Sequence, residues 1–169
     1  MLDSLKLEKN RKEALAEQLG HTLQGKKQTI TTVESCTGGG IAVAITDIAG
    51  SSAWINQSWV TYANSAKVEL VGVQPETLVN FGAVSEQTVK EMAVGGLTRA
   101  NADYCIAVSG IAGPTGGSKE KPVGTVWFAI AMTDSVYTFH HVFAGDRKSV
   151  REQAIVFALE KLIQVAVTH

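Results

Sequence analysis

Residues 29–40 have the sequence TITTVESCTGGG, and this stretch decides the fold. The β-branched run Thr29–Val33 favours a strand. A small polar turn follows at Ser35, then Gly38–Gly40, and then an apolar pattern that predicts a short helix ending near Ile48. A strand that turns directly into a helix exposes a hydroxyl at the bend, beside free N–H groups. That geometry suits either a nucleophile or a cradle for an anion.

A second glycine-rich turn, SGIAGPTGG at residues 109–117, follows another predicted strand. Two such turns in a short chain predict that both border one pocket. The second turn offers backbone N–H groups at Gly110, Gly113 and Gly116 and the hydroxyl of Thr115, which together suit a phosphate. It lacks the Lys-Ser/Thr ending of a P-loop, so NTP hydrolysis is not indicated. A long connection that merely uses turn residues is the competing interpretation.

Composition predicts one domain, residues 1–169, that is long enough to bury a substantial core. Charged residues make up only 18% of the chain, and this sparse charge predicts a homo-oligomer. The net charge of −1 argues against a nucleic-acid partner. No apolar run approaches the length of a signal peptide or a membrane span, so no membrane partner is expected. Cys36 and Cys105 form no disulfide framework, and a cytoplasmic protein is expected.

The remaining patterns predict an α/β protein in which helices separate the early strands and the late strands form a hairpin. The prediction is a mixed central sheet with helices on both faces, a three-layer α/β/α sandwich. Asn64 and Ser85 are the predicted N-caps of two helices, and Ser149 with Glu152 is a predicted capping box that opens the last helix. The predicted helices cover 3–23 (closed by Gly25), 38–48, 64–71, 75–81 and 86–99, and the predicted strands cover 28–34, 53–62, 103–109, 123–132 and 136–143.

Ser35 is the candidate nucleophile. An unassisted serine hydroxyl is a poor nucleophile, so it needs a base and N–H donors that hold the developing oxyanion. The helix start near Gly38 is the predicted source of those donors. A serine that merely caps the helix is the alternative. Cys36 is a rival nucleophile because a helix start lowers the pKa of a thiol, although a small residue that fills the turn is the simpler interpretation.

Lys67 is the candidate base, in the segment YANSAK at residues 62–67. With Asn64 as the N-cap, Lys67 lies in the first helical turn, where the helix dipole opposes a cation and lowers the lysine's pKa. A neutral lysine is a competent general base for a serine. Tyr62 is placed to relay a proton or to hold substrate. The alternative is a solvated surface lysine and a tyrosine packed at the sheet edge.

Arg147 is the candidate anion-binding residue, because an arginine beside a helix start can hold a phosphate or a carboxylate. The alternative is that Asp146 pairs with Arg147 or caps the turn. The histidines show no metal-ligand spacing with cysteine or acidic partners, so no metal site is expected.

These segments together resemble the CinA C-terminal domain family, which includes stand-alone nicotinamide-nucleotide amidohydrolases. The resemblance extends from about residue 8 to residue 165, and the chain looks like the short form without a further N-terminal domain. The matching blocks are ESCTGG (34–39), ITDIAGSS (45–52), VTYAN (60–64), Lys67, GAVS (82–85), SGIAGP (109–114), KPVGTV (121–126) and FAGDR (143–147).

The resemblance implies hydrolysis of the carboxamide of nicotinamide mononucleotide to nicotinate mononucleotide and ammonia, with no metal or organic cofactor. Ser35 would attack the carboxamide carbon, and Lys67 would take its proton with the help of Tyr62. The oxyanion would be held by N–H groups of the helix start at Thr37, Gly38 and Gly39 or by those of the Gly110 loop. The phosphate would be bound by Arg147 and the loop of Gly113, Thr115 and Gly116.

Two other functions compete with this interpretation. A non-catalytic module that senses pyridine nucleotides would need the glycine-rich turns and Arg147 but not Lys67. A competence or DNA-damage factor acting on nucleic acid is suggested by the family's name alone, and the net charge of −1 argues against it.

Overall fold

The computed structural model describes the backbone of residues 2–169 and the side chains of residues 11–169. None of the helices in this described part is long and apolar enough to cross a membrane. A short 3-10 turn, Ser51–Ala53, precedes the second strand. The helices are α1 (Leu2–Lys26), α2 (Gly40–Thr46), α3 (Asn64–Val71), α4 (Pro75–Phe81), α5 (Glu86–Ala100) and α6 (Arg147–Thr168), and the strands are β1 (Ile30–Glu34), β2 (Ile55–Val60), β3 (Tyr104–Gly110), β4 (Thr125–Met132) and β5 (Ser135–Val142).

The strands form one mixed sheet in the order β2-β1-β3-β4-β5. Strand β1 is parallel to β2 and β3, because a helix or a run of helices crosses between those strands. Strands β3, β4 and β5 are antiparallel neighbours, and β4 and β5 form the predicted hairpin. Glu34, the last residue of β1, pairs with Val60 and Val108, so the carboxyl ends of three parallel strands meet at one sheet edge.

Helices cover both faces of the sheet, which confirms the predicted three-layer α/β/α architecture. On one face α1, α2 and α6 pack against alternate strand residues such as Ile106 and Phe128. On the other face α5 and the end of α3 pack against the intervening residues, including Val33 and Ala107. Every residue of β1 is buried, as expected for a central strand covered on both sides.

Helix α5 approaches α3 closely, and this approach depends on a glycine. A Cβ atom added at Gly95 would lie 1.7 Å from the carbonyl oxygen of Val71, the last residue of α3. A side chain there would collide with backbone, so one of the two helices would have to move. Because α3 carries Lys67, the glycine indirectly fixes the helix that holds the candidate base.

Besides helix α2, which is shorter at both ends than predicted (Gly40–Thr46 instead of 38–48), three predicted helix ends differ from the structure. Ala63 is the N-cap of α3, and Asn64 is its first helical residue. Helix α6 begins at Arg147 because the Asp146 carboxylate accepts a hydrogen bond from the Ser149 N–H at 2.8 Å, so Ser149 and Glu152 are not its capping box.

The third difference is at the end of α1, which continues through Gly25 to Lys26. The left-handed residue that ends the helix is Lys27, with φ 56°. Lys26 stays helical while its ammonium donates to the Ala166 carbonyl of α6 at 2.6 Å. The predicted cap at Ser85 is confirmed, because its hydroxyl accepts from the Thr88 N–H.

Candidate active site

Ser35 and Lys67 meet at the carboxyl edge of the sheet. Ser35 directly follows β1, and its N–H donates to the Val108 carbonyl of β3 at 3.0 Å, which fixes the backbone at the bend. Lys67 lies on α3, and its Nζ donates to Ser35 Oγ at 3.2 Å. This is the nucleophile-to-base contact that proton transfer from a serine requires.

Lys67 is buried, with only 1% of its surface exposed. Besides Ser35, its Nζ donates to the carbonyl oxygens of Thr61 at 2.8 Å and Tyr62 at 3.4 Å. No carboxylate pairs with Lys67 among the residues whose side chains are described. Burial therefore lowers the pKa of Lys67 below its ordinary value, because the charged form loses its hydration. The interpretation of Lys67 as a solvated surface lysine is wrong.

A buried carboxylate, that of Glu34, binds the turn after Ser35. Glu34 is 0% exposed, and its Oε2 accepts from Thr37 Oγ1 at 2.6 Å and from the Ile41 N–H at 3.0 Å. Its Oε1 accepts from the Ala42 N–H at 2.8 Å and from Thr32 Oγ1 at 3.1 Å. The N-cap residue of α2 is a glycine without a side chain, so Glu34 satisfies the first N–H groups of the helix instead.

Two backbone N–H groups of this turn, those of Thr37 and Gly39, have no acceptor among the described residues. The Gly38 N–H donates to the Ser35 carbonyl at 3.0 Å, and the Cys36 N–H interacts with its own sulfur. Gly39 has φ 91°, a left-handed conformation that lets the chain turn sharply into α2. The turn can therefore present backbone donors beside Ser35, as an oxyanion hole requires.

Arg151 holds the same turn from the side of α6. Its Nε donates to the Cys36 carbonyl at 3.1 Å and its Nη2 to the Thr37 carbonyl at 2.9 Å. Sequence reasoning missed this residue. One signal was available, because Arg151 lies four residues after Arg147 on one helix and residues at that spacing share a face.

Arg147 contacts two other predicted site residues, Tyr62 and Gly113. Its Nη2 donates to the Tyr62 hydroxyl at 2.8 Å, and its Nη1 donates to the Gly113 carbonyl at 3.0 Å. The Tyr62 hydroxyl forms no hydrogen bond with Ser35 or Lys67 in the described part of the chain; only its backbone carbonyl faces Lys67. Asp146 caps α6 and forms no ion pair with Arg147 among the described side chains.

The two glycine-rich turns are in contact. A Cβ atom added at Gly110 would lie 3.1 Å from the Cys36 sulfur and 2.9 Å from the Thr125 carbonyl oxygen. This close packing brings the end of β3 against the turn that follows Ser35, and a pocket shared by the two turns stays a prediction. Thr115 and Gly116 are exposed, and within the described residues no hydrogen bond links them to Ser35 or Arg147.

Comparison with known proteins places this arrangement in a family. A model of the CinA C-terminal domain matches residues 12–166. The nicotinamide-nucleotide amidohydrolase PncC of Escherichia coli strain K12 is 56% identical over 151 residues, which is 89% of this chain and 92% of that protein. The chain belongs to the CinA C-terminal domain family. The resemblance seen in the sequence motifs is thereby confirmed.

Solved structures of CinA superfamily proteins have the same fold. The CinA superfamily protein of Klebsiella pneumoniae superposes with a TM-score of 0.90 at 39% identity, covering 94% of this chain and 99% of that one. The competence/damage inducible protein of Agrobacterium tumefaciens also gives a TM-score of 0.90, at 44% identity over 92% of this chain and 95% of that one. The α/β architecture of the CinA domain described above is therefore shared with proteins of the same family.

Cys36 is not arranged as a nucleophile in this CinA domain. It is buried, and burial raises the pKa of its thiol to about 12. The prediction that the helix start lowers this pKa is wrong, because desolvation outweighs the nearby N–H groups. Cys36 therefore stays a thiol at neutral pH and fills the space against Gly110.

Proposed function

We propose that this chain hydrolyses the carboxamide of nicotinamide mononucleotide to nicotinate mononucleotide and ammonia. The observation that carries the proposal is the 3.2 Å contact between Ser35 Oγ and a buried Lys67 with no carboxylate partner among the described side chains. The 56% identity to a relative named nicotinamide-nucleotide amidohydrolase supports the choice of substrate.

The proposed acylation step uses the neutral form of Lys67. Lys67 accepts the proton of Ser35 Oγ while that oxygen bonds to the carboxamide carbon. The carbonyl oxygen gains the negative charge and is stabilised by N–H groups of the turn. The C–N bond then breaks, and Lys67 returns its proton to the nitrogen, which leaves as ammonia.

Deacylation repeats these steps with water as the nucleophile. Lys67 accepts a proton from the water molecule while the water oxygen attacks the ester carbon. The bond between that carbon and Ser35 Oγ breaks, and the serine recovers its proton. The Thr61 and Tyr62 carbonyl oxygens support both steps, because they bind two N–H groups of Lys67 and leave the third position directed at Ser35.

Arg147 is the proposed phosphate-binding residue, together with the backbone of Gly113 and the exposed Thr115 and Gly116. A guanidinium offers two parallel donors to a phosphate. The Tyr62 hydroxyl bonded to Arg147 supports a role for Tyr62 in holding that guanidinium, rather than in relaying a proton to Lys67.

The competing proposal is a module that binds pyridine nucleotides without catalysis. Such a module needs a phosphate site but gains nothing from a desolvated lysine against a serine. Burying an ammonium without a carboxylate partner is costly. The burial of Lys67 therefore favours the enzyme.

Ammonia release from nicotinamide mononucleotide in metal-free buffer tests the proposed function. We expect turnover by the wild type and a loss of about 1,000-fold or more for Ser35→Ala and Lys67→Ala. Lys90→Ala, which removes an exposed lysine paired with Glu86, is the matched control and should retain turnover. Folded wild type that binds the nucleotide without releasing ammonia would move the chain to the sensing class, and turnover that survives Ser35→Ala would reject the serine mechanism.

We also propose that the chain self-associates and functions in a reducing cytoplasm. Val60, the last residue of the edge strand β2, and Tyr62, two residues beyond it, have exposed apolar side chains, as does Val43 of α2, and these support an interface between copies. The buried free thiols of Cys36 and Cys105 support the proposal of a reducing compartment. Light scattering over a hundredfold concentration range tests the first proposal, and a constant monomer mass rejects it.

A further inference from the structure

Glu34 is a buried carboxylate whose side-chain hydrogen bonds go to the turn after Ser35, to the start of α2 and to its own strand. It is 0% exposed, and no cationic side chain among residues 11–169 forms an ion pair with it. Burying a charge is costly unless hydrogen bonds replace its hydration. Two hydroxyls and two backbone N–H groups supply those bonds at 2.6–3.1 Å.

These bonds determine which backbone groups remain available beside Ser35. Glu34 accepts the N–H groups of Ile41 and Ala42 at the start of α2. The N–H groups of Thr37 and Gly39 are left without an acceptor in the described chain. Glu34 thus binds the start of α2 and the Thr37 hydroxyl, and the two unpaired N–H groups belong to the turn that directly follows Ser35.

The same bonds fix the position of the turn relative to the strand. Thr37 Oγ1 donates to Glu34 Oε2 at 2.6 Å, and this contact closes the turn across Ser35. The Glu34 backbone carbonyl also accepts from the Thr61 N–H at 2.8 Å, and the Thr61 carbonyl is the acceptor for Lys67 at 2.8 Å. One residue therefore connects the donors beside the nucleophile with the strand end that orients the base.

We propose that Glu34 is a positioning residue for catalysis, which holds the Ser35–Gly39 turn so that its unpaired N–H groups stabilise the oxyanion formed at the Ser35 adduct. Glu34 itself does not touch the substrate. The inference rests on the proposed function for its kinetic readout, and it deepens that function by assigning the source of the oxyanion-hole geometry.

The test compares Glu34→Gln with Glu91→Gln. Glutamine keeps the size of Glu34 but turns an NH₂ group toward donors that need an acceptor. Glu91 is a matched control, because its carboxylate also accepts a backbone N–H, from Gln74 at 2.8 Å, and a threonine hydroxyl, from Thr77 at 2.6 Å, at a place that does not contact Ser35. The two variants therefore lose the same kind of interaction.

We expect Glu34→Gln to lower kcat by about 100-fold or more with KM changed less than about threefold, because an oxyanion hole acts in the transition state. Glu91→Gln should keep wild-type kcat. A kcat for Glu34→Gln equal to that of Glu91→Gln, or a loss confined to KM, overturns the inference. Both variants are compared at equal folded fraction, measured by circular dichroism.

Labelling of Ser35 by a fluorophosphonate separates this inference from the choice of substrate. The serine oxygen bonds to phosphorus, fluoride leaves, and the serine proton goes to Lys67, so the reaction tests the turn without nicotinamide mononucleotide. If the wild type is labelled but releases no ammonia, the proposed function fails while slower labelling of Glu34→Gln, by about tenfold or more, still supports the inference. A wild type that is not labelled overturns it.

Thr37→Val keeps the inference testable if Glu34→Gln does not fold. Valine has nearly the shape of threonine and removes only the 2.6 Å hydroxyl bond to Glu34. We expect a loss of about tenfold in both kcat and labelling rate, because one donor–carboxylate bond is removed from the turn. Unchanged rates for a folded Thr37→Val overturn the inference.

Discussion

The two glycine-rich turns of this domain differ in how they are held. Residues 31–37 are buried, and two side chains hold the first turn, the carboxylate of Glu34 at Thr37 Oγ1 and the guanidinium of Arg151 at the Cys36 and Thr37 carbonyls. In the second turn the exposed segment begins at Pro114, and among the described side chains only Arg147 bridges Gly113 to the rest of the site. A turn held by buried polar contacts suits bond making at a fixed geometry, whereas an exposed turn suits the entry and grip of a substrate.

This difference predicts that changes around the first turn reduce kcat and changes around the second raise KM. Interactions made only in the transition state affect kcat, and interactions that persist from the bound substrate affect KM. The variants below are ordered from the largest expected effect to the smallest.

Lys67→Met has the largest expected effect, a loss in kcat of about 1,000-fold or more, because the proposed general base is removed. For the wild type, kcat should rise with pH until the pKa of Lys67 is passed, and that pKa lies below the ordinary 10.5. A pH–rate profile measures this rise. A wild-type profile without a rise below pH 10.5 would contradict the assignment of Lys67 as the base.

The lowered pKa of Lys67 also predicts how the free energy of unfolding changes with pH. The folded state binds the Lys67 proton less tightly than the unfolded chain, so the free energy of unfolding should increase as pH rises from the lowered pKa toward 10.5. Lys67→Met should lack this increase. Urea unfolding of both proteins over that pH range measures the difference, and parallel curves would speak against a desolvated lysine.

Arg147→Lys tests the second turn. Lysine keeps the charge but loses the fork that bridges Tyr62 and Gly113, so KM for nicotinamide mononucleotide should rise about tenfold with kcat little changed. The riboside without a phosphate is the control substrate and should show no such change. An equal effect on both substrates would mean that Arg147 does not bind the phosphate.

Tyr62→Phe distinguishes two roles of this hydroxyl, because holding Arg147 affects KM and relaying a proton affects kcat. Loss of the 2.8 Å bond to Arg147 should raise KM several-fold and leave kcat unchanged. Tyr137→Phe is the matched control, since it removes an exposed tyrosine hydroxyl that bonds only to His169 among the described residues. A fall in kcat with constant KM would instead support a proton relay through Tyr62.

Cys36→Ala has the smallest expected effect on catalysis. Its thiol has a pKa of about 12 and is protonated at neutral pH, so kcat should stay near the wild-type value. Initial-rate measurements on wild type and Cys36→Ala check this, with Cys105→Ala as the control for loss of a buried thiol. Loss of turnover in Cys36→Ala alone would make the Cys36 thiol a candidate nucleophile again.

Much of the site was predictable because its residue types are unusual at their positions. A serine between a β-branched strand and three glycines, and a lysine in the first turn of a short helix, both suggested chemistry before any contact was known. Glu34 appeared only as a member of a motif, because nothing in the sequence shows that a carboxylate folds back to bind N–H groups seven and eight residues later. The contact of Arg151 with the turn spans more than a hundred residues of chain, which no local pattern reports.

Local chemistry settled the order of helices and strands, the hairpin β4–β5 and the two turns, since β-branched runs, apolar spacing and glycines act over a few residues. Long-range packing settled the chemistry of individual groups. The helix start next to Cys36 suggested a lowered thiol pKa, but burial raises it. Lys67, which the sequence left as either a surface lysine or a base, is a desolvated lysine because α3 places its side chain in a buried position against Ser35. Desolvation depends on every neighbour that excludes water, so it emerges only when distant parts of the chain come together.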